Sequence, residues 1–364
     1  MILNNLNLVN FKNLTEVSID LDADVNCFSG LNGEGKTNVL DAIRYLSMCK
    51  SYFNAADYQN INHEEESFMI KGSVLKNDEI DILSCSVGRI SKKVFKRNKK
   101  EYQRLSDHIG LYPSVMISPT DEDLIKEGSE VRRKFMNGII SQYDKSYLNY
   151  MVQYKRALNQ RNRLLKHFQV ERTFDESSLE IYDFKLIKLN QLIHDVRLKF
   201  VEDFTPWFQK LHIQISGDKE SVSLEYKSTC HSELEQQFNN SRKKDKLSAR
   251  TNVGVHKDDL EFSINGYTIK KFGSQGQQKT FLIALKLAQS FFIEQATGNK
   301  PFLLLDDIFD KIDSARVVNL MKLVSEGNFG QIFITDTDRN RVSSLFKDLK
   351  VTLKEFTLTD GRIS

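Results

Sequence analysis

The stretch Gly30-Leu31-Asn32-Gly33-Glu34-Gly35-Lys36-Thr37 constrains this chain more than any other. It fits the spacing G-x-x-x-x-G-K-[ST], and its flanks fit as well. Asp24-Val25-Asn26-Cys27-Phe28-Ser29 reads as a short apolar strand before it, while Val39, Leu40, Ala42, Ile43 and Leu46 recur at helical spacing after it. Strand, glycine turn and helix, in that order, face successive backbone N–H groups toward a polyphosphate, with the positive end of the helix behind them. Lys36 adds a mobile positive charge for the β- and γ-phosphates, and the Thr37 hydroxyl is a candidate ligand for Mg²⁺. The stretch therefore predicts a nucleoside triphosphate site.

Composition narrows what surrounds that site. The 364 residues leave room for two compact units, and 40% hydrophobic with 28% charged residues is ordinary for a soluble globular protein. A net charge of only +3 means that a nucleic-acid partner must be argued from local clusters. Cys27, Cys49, Cys85 and Cys230 are scattered without a C-x-x-C pair, which argues against zinc and disulfides and suits a reducing cytosol. Met1 to Phe11 has no basic region leading into an apolar run, and no apolar stretch approaches membrane-spanning length. A cytoplasmic location without membrane contact is expected.

Alternation of apolar and polar residues predicts strands over Ile2 to Phe11 and around Val17, Ile19 and Leu21. Phe68–Val74 and Ile80–Val87 read as paired strands joined by a polar turn. Lys92, Lys93, Lys96, Arg97, Lys99 and Lys100 then form a basic ribbon, either a lysine-protected edge strand or a phosphate-backbone contact. From about Asp144 the pattern turns helical: Tyr147, Met151, Tyr154, Leu158 and Leu165 form one stripe, with Arg156, Arg161, Arg163 and Lys166 on the remaining surface. Tyr182, Leu186, Leu189, Ile193, Val196 and Phe200 form a heptad-like seam of helical-hairpin length, with Pro206 at its far end. The basic, apolar-poor run Ser241 to Arg250 reads as a mobile loop, and Leu260 through Ile269 as a hairpin turning at Asn265-Gly266.

Three further stretches carry chemistry. Ser274 and Gly276 open an apolar helix from Phe281 to Ala288, giving either a second anion site, a capped core helix, or both. Pro301 to Leu305 reads as a buried strand ending in Asp306 and Asp307. Asp306 is then expected near Mg²⁺, and Asp307 where it polarises an attacking water. Gln331 to Ile334 is a second core strand, whose following Thr335, Asp336 and Asp338 are candidates for sensing a γ-phosphate on the same rim.

The serine-glycine stretch, the Asp306-Asp307 strand and Asp313 resemble the signature, Walker B and D-loop of ABC-type ATPases. The resemblance is closer still to the bacterial RecF family, relatives of SMC heads. It runs through Leu8–Leu14, Gly33–Asn38, Ser118-Pro119, Arg132–Phe135, Tyr154–Lys166, His256–Leu260 and Ser274–Lys279. Glu130, Asn137, Val255 and Lys257 depart from that family's usual residues, as does the run Phe309 to Asp313, but Asp306, Asp307 and Asp313 are intact.

The resemblance implies an α/β ABC-type ATPase head, a P-loop NTPase with an inserted helical lobe. The expected boundaries are ATPase parts at 1–118 and 251–364 around a lobe at 119–250. It implies ATP and Mg²⁺ as cofactors, Lys36, Asp306 and Asp307 as catalytic residues, and Thr37 and Asp306 on the metal. Nucleotide contacts would come from Gly30 through Asn38 and from Ser274, Gly276, Gln277 and Asp313. The implied protein is an ATP-dependent head-to-tail homodimer, with Ser274 and Gly276 of one subunit covering the γ-phosphate held by Lys36 of the other. The implied partners are double-stranded DNA at gaps or single-strand/double-strand junctions, RecO and RecR mediators, and RecA. The competing readings weigh less. An SMC head lacks support because there are no long heptad arms or C-x-x-C hook, and the arginine-rich insert speaks against a transporter ATPase. A nucleotide-gated adaptor that hardly hydrolyses ATP is the remaining alternative.

Overall fold

A computed structural model describes residues 1–217, 220–230, 233–309, 314–325, 327–347 and 351–363. The chain divides into two compact units: Met1–Glu122, Lys210–Lys219 and Ser274–Ser364 form the first, Asp123–Gln209 and Glu220–Gly273 the second. These boundaries differ from the expected ones: residues 119–122 and Lys210–Lys219 fall in the first unit, and residues 251–273 in the second. The reason for the last is a strand absent from the sequence reading, Val222–Lys227, which pairs antiparallel with Asp259–Ile264.

The first unit is built on a sheet whose described strands run in the order Arg362–Ile363, Leu353–Thr359, Val25–Ser29, Ile332–Asp336, Phe302–Asp306 and Ser114–Ile117. All neighbours are parallel except the first pair. Every residue of Val25–Ser29, Ile332–Asp336, Phe302–Asp306 and Ser114–Ile117 is buried, which is why these segments read as continuous apolar runs. Register pairs Ser29 with Asp336 and Thr335 with Asp306, so the phosphate loop and the acidic strand ends share one rim.

A second, antiparallel sheet runs Leu14–Asp20, Ile2–Phe11, Ser67–Lys76, Glu79–Gly88, Val94–Arg97 and Lys100–Glu101. The predicted pair around Phe68 and Ile80 turns through Asn77 and Asp78, both left-handed at φ 51° and 63°, as a two-residue hairpin turn requires. The helix Lys36–Met48 is in the same core, where Phe11, Tyr45 and Phe68 meet edge to face. The basic ribbon is an edge hairpin with internal duties. Lys93 binds Asp57 at 2.7 Å, and Arg97 grips Asp81 through two bonds of 2.8 and 2.9 Å, leaving Lys92, Lys99 and Lys100 exposed.

In the second unit, helices Ser129–Tyr143, Lys145–Glu171 and Leu234–Ser248 accompany most of Glu176–Ser216, and Leu186, Leu189, Ile193 and Phe200 of the predicted seam are buried. Four local readings are corrected. Pro206 lies inside the long helix, not at its end, one residue after Thr205 donates to the Val201 carbonyl at 2.6 Å. Residues 241–250 lie largely in the helix Leu234–Ser248, where a mobile loop was expected. Ile269 begins a short helix, Ile269–Phe272, where it was placed in the hairpin. Arg161 is in the core, where a surface position was expected.

Ion pairs explain two of these corrections. Arg161 donates to Asp183 and Asp245, each at 2.6 Å, and to the Thr251 hydroxyl at 3.0 Å. Asp245 comes from the middle of the supposed loop, so that segment is anchored by charge where apolar residues are scarce. Arg197 repeats the device, bonding Asp258 at 2.7 Å and the Tyr147 hydroxyl at 3.0 Å. Removing one partner of such a buried group strands the other charges. Arg161→Met is therefore expected to destabilise the second unit by about 3–5 kcal/mol. Urea unfolding followed by hydrogen exchange measures it, and a loss below about 1 kcal/mol, the size of an exposed pair, contradicts the assignment.

Candidate nucleotide site

The glycines of the phosphate loop answer to specific constraints. Gly35 caps the helix at φ 104°, a left-handed conformation that a side chain would strain. A Cβ at Gly30 would stand 2.6 Å from the Leu358 carbonyl oxygen, so the loop and the strand Leu353–Thr359 approach at glycine distance. Asn13 braces the loop from outside: its amide donates to the Gly33 carbonyl at 2.8 Å and its oxygen accepts from Asn38 at 2.7 Å. The Asp360 N–H donates to the Glu34 carboxylate. Leu31, Asn32 and Gly33 are exposed.

Lys36 folds back on this loop, donating to the carbonyls of Gly30 and Leu31 at 2.7 Å each. Burial lowers its pKa, while Asp307, Asp306, Asp336 and Glu34 pull the other way. The ammonium thus stands among carboxylates but bonds only to neutral carbonyls in the described contacts, a poised cation for an incoming anion.

Asp306 is the buried counterpart. Its Oδ1 accepts from the hydroxyls of Thr37 and Thr335, both at 2.8 Å, and its Oδ2 from Ser118 at 3.3 Å. Desolvation raises its pKa against the pull of these three donors. Among the described residues no cationic side chain pairs with it. A buried carboxylate ringed by hydroxyls suits a hard cation, and Thr37 and Asp306 are close enough to hold Mg²⁺ together. No group of three or more His, Cys, Asp or Glu residues assembles among the described residues.

The remaining acids differ from one another. Asp307 is half-buried, sits at φ 48° and donates its N–H to the Thr335 hydroxyl at 3.1 Å. Asp336 is fully engaged by Arg341 through bonds of 2.6 and 2.9 Å and accepts from the Asp338 N–H. Of the three residues expected to sense a γ-phosphate, only Thr335 is brought to Asp306.

The signature helix spans Gln275–Thr297. Ser274 caps it, accepting from the Gln277 N–H at 3.3 Å while Gln277 Oε1 accepts from the Ser274 N–H at 2.8 Å. Arg316 donates to the Gly276 carbonyl at 3.0 Å. Ser274 and Gln275 are exposed, and a methyl group at Gly276 would meet nothing within 4 Å. Asp313 lies outside the described residues.

Asn13 and Ser118 are the residues that sequence reasoning did not assign to the site. Both sit in stretches recognised as RecF-like, Leu8–Leu14 and Ser118-Pro119, but no spacing rule ties them to the loop or to Asp306. Among the basic clusters, Lys155, Arg156 and Arg163 are exposed on the helix Lys145–Glu171 and line a shallow groove with Asn159 and Gln160. Lys243, Lys244 and Lys246 are exposed on Leu234–Ser248, whereas Arg242 is tied to Glu176, Glu180 and Asp183.

A phosphate loop feeding a buried parallel sheet, an acidic strand end beside it and a serine-capped helix define an ATPase head of the ABC/SMC kind. The RecF/RecN/SMC N-terminal domain family model matches residues 2–359. The DNA replication and repair protein RecF of Flavobacterium johnsoniae is 49% identical, covering 98% of this chain and 100% of its own. That of Phocaeicola vulgatus is 46% identical over 100% and 98%. A solved structure of the recombination mediator protein RecF with ATP, from the RecFOR pathway, superposes with a TM-score of 0.90 at 31% identity, covering 100% of this chain and 97% of that one. The SMC head of Pyrococcus furiosus shares the fold alone, at a TM-score of 0.58 and 18% identity. The chain belongs to the RecF family. No described helix is long and apolar enough to cross a membrane.

Asn13→Ala removes both braces of the loop, each worth about 1 kcal/mol. The expected result is ATP affinity weaker by up to about thirtyfold by equilibrium titration. Wild-type affinity would show that the loop holds its shape without them.

Proposed function

We propose that this protein is a DNA-binding ATPase of recombinational repair, working in the cytoplasm as an ATP-dependent homodimer on duplex DNA at gaps or single-strand/double-strand junctions. The observation that carries this reading is that Lys36, bonded to loop carbonyls, and buried Asp306, bonded to no cationic side chain among the described residues, share one rim, while the signature serine is exposed. One chain supplies two halves of a site. The RecF-with-ATP structure and the RecFOR pathway of that relative support ATP as ligand and RecO and RecR as the functional company; RecA loading is the step proposed to follow.

The chemistry follows from the side chains. Incoming triphosphate oxygens would replace the Gly30 and Leu31 carbonyls as acceptors for Lys36, at the positive end of the helix Lys36–Met48. Thr37 and Asp306 would hold Mg²⁺, which would supply positive charge to the phosphate oxygens. Asp307, adjacent to Asp306 and close enough to influence Lys36, is the candidate to orient the attacking water. Ser274, Gly276 and Gln277 of a second copy close the γ-phosphate side, and Asp313 is proposed to join them there. A γ-phosphate bound between two subunits gives the dimer a higher affinity for ATP than for ADP, which is what a nucleotide-switched clamp needs. Hydrolysis then releases the DNA.

The test is duplex DNA binding with and without ATP–Mg²⁺ by wild type, Lys36→Ala and Ser274→Arg. ATP-dependent binding that weakens steeply with salt is expected for wild type, and its loss in both variants. Ser274→Arg should still bind ATP. Equal DNA binding without nucleotide contradicts the clamp.

A further inference from the structure

Lys286 lies in the third turn-and-beyond of the signature helix, about 18 Å along its axis from Ser274. Its neighbours Phe281 to Leu285, Leu287 and Ala288 are buried and, apart from Lys286 itself, apolar. Its ammonium is buried as well, 2.7 Å from Asp121 Oδ1, and donates to the Tyr52 hydroxyl at 2.7 Å and the Met116 carbonyl at 2.9 Å. Burial lowers its pKa, with Asp121 opposing the shift.

Asp121 turns that contact toward the nucleotide site. Its Oδ2 accepts the Ser118 N–H at 2.9 Å, and its own N–H donates to the Ser118 carbonyl at 2.9 Å, so the turn is closed in both directions. The Tyr52 hydroxyl donates to the same carboxylate. Ser118 in turn directs its hydroxyl to Asp306 Oδ2. Three consecutive contacts therefore connect the middle of the signature helix to the carboxylate at the metal position, all within one compact unit.

A buried lysine–aspartate pair contributes little stability compared with apolar residues of the same volume, because both ions lose their water. Its effect here is directional. We propose that Lys286 and Asp121 are positioning residues: they lock the turn Ser118–Asp121 to the signature helix, hold the Ser118 hydroxyl against Asp306, and make that carboxylate's orientation follow the position of the signature helix. The inference rests on the ATPase reading above and adds a route by which engagement of the exposed Ser274 end reaches the metal position in the same subunit.

Binding of a fluorescent, non-hydrolysable ATP analogue, titrated with Mg²⁺ at equilibrium, tests this without turnover. The proteins are wild type, Ser118→Ala, the charge-free pair Asp121→Leu/Lys286→Met, and the triple combination, each with a melting curve. Ser118→Ala removes one oxygen and is the arm least exposed to misfolding. The half-saturating Mg²⁺ concentration should rise about tenfold in Ser118→Ala and in the charge-free pair, as for other residues that orient a metal ligand. The triple variant should lose no more than either, because all three side chains act through one contact. Affinity for the analogue without Mg²⁺ should stay at the wild-type value, which a general loss of structure would not spare. Hydrolysis should show a lower kcat at nearly constant KM. Wild-type Mg²⁺ dependence in Ser118→Ala, or additive losses in the triple variant, overturns the positioning role. Absence of Mg²⁺-dependent analogue binding in wild type overturns the ATPase reading itself.

Discussion

The burial of Asp306, a carboxylate bonded to no cationic side chain among the described residues, is the constraint on which the rest of the nucleotide site depends. A carboxylate in a dry interior is costly unless it is hydrogen-bonded and paired, and its cost shows as a raised pKa. Three hydroxyls meet the first need, from the phosphate-loop helix, from the neighbouring strand end and from the turn after Ile117. None meets the second. The parallel sheet exists, functionally, to bring these segments to one rim, and the charge left over is what favours a cation arriving with its own anion. Lys36 presents the mirror problem, a positive charge resting on two carbonyls. A magnesium–triphosphate complex answers both at once.

The same electrostatic logic is used differently in the second unit. There Arg161 and Arg197 are buried and bonded to acids and hydroxyls of the same unit. These pairs tie together segments distant in the chain where apolar residues are few. Charge at the nucleotide site is left open for a ligand; the buried arginines of the second unit are closed on acids of that unit. That contrast separates a site from a scaffold more clearly than the count of charged residues does.

It also marks what could be read from the sequence. The phosphate loop, its strand and helix, the core strand ending at Asp306 and the capped helix after Ser274 were legible because each follows from local spacing and apolar pattern. The hairpin turns at Asn77-Asp78 and Asn265-Gly266 were legible for the same reason. Arg161 was not, because a periodic arginine on a helix looks identical whether its partner is water or a carboxylate 84 positions away. The helix through Asp245 was missed along with it, since its anchor is that same ion pair. Asn13 and Ser118 stand at the site through tertiary contact alone. The second unit's extension to Gly273 likewise depends on a strand pairing that no local pattern announces.

Asp306, bonded to no cationic side chain among the described residues, is placed to take a cation that comes with the nucleotide. Thermal melting of wild type and Asp306→Asn, each with and without ATP–Mg²⁺, tests it most directly. Asparagine keeps the oxygen that Thr37 and Thr335 address and can donate to Ser118, so only the charge is removed. The nucleotide-free variant should melt at or above the wild-type temperature, and the stabilisation by ATP–Mg²⁺ seen in wild type should be largely lost. A variant that melts lower without nucleotide, yet keeps the full shift with ATP–Mg²⁺, would contradict the account.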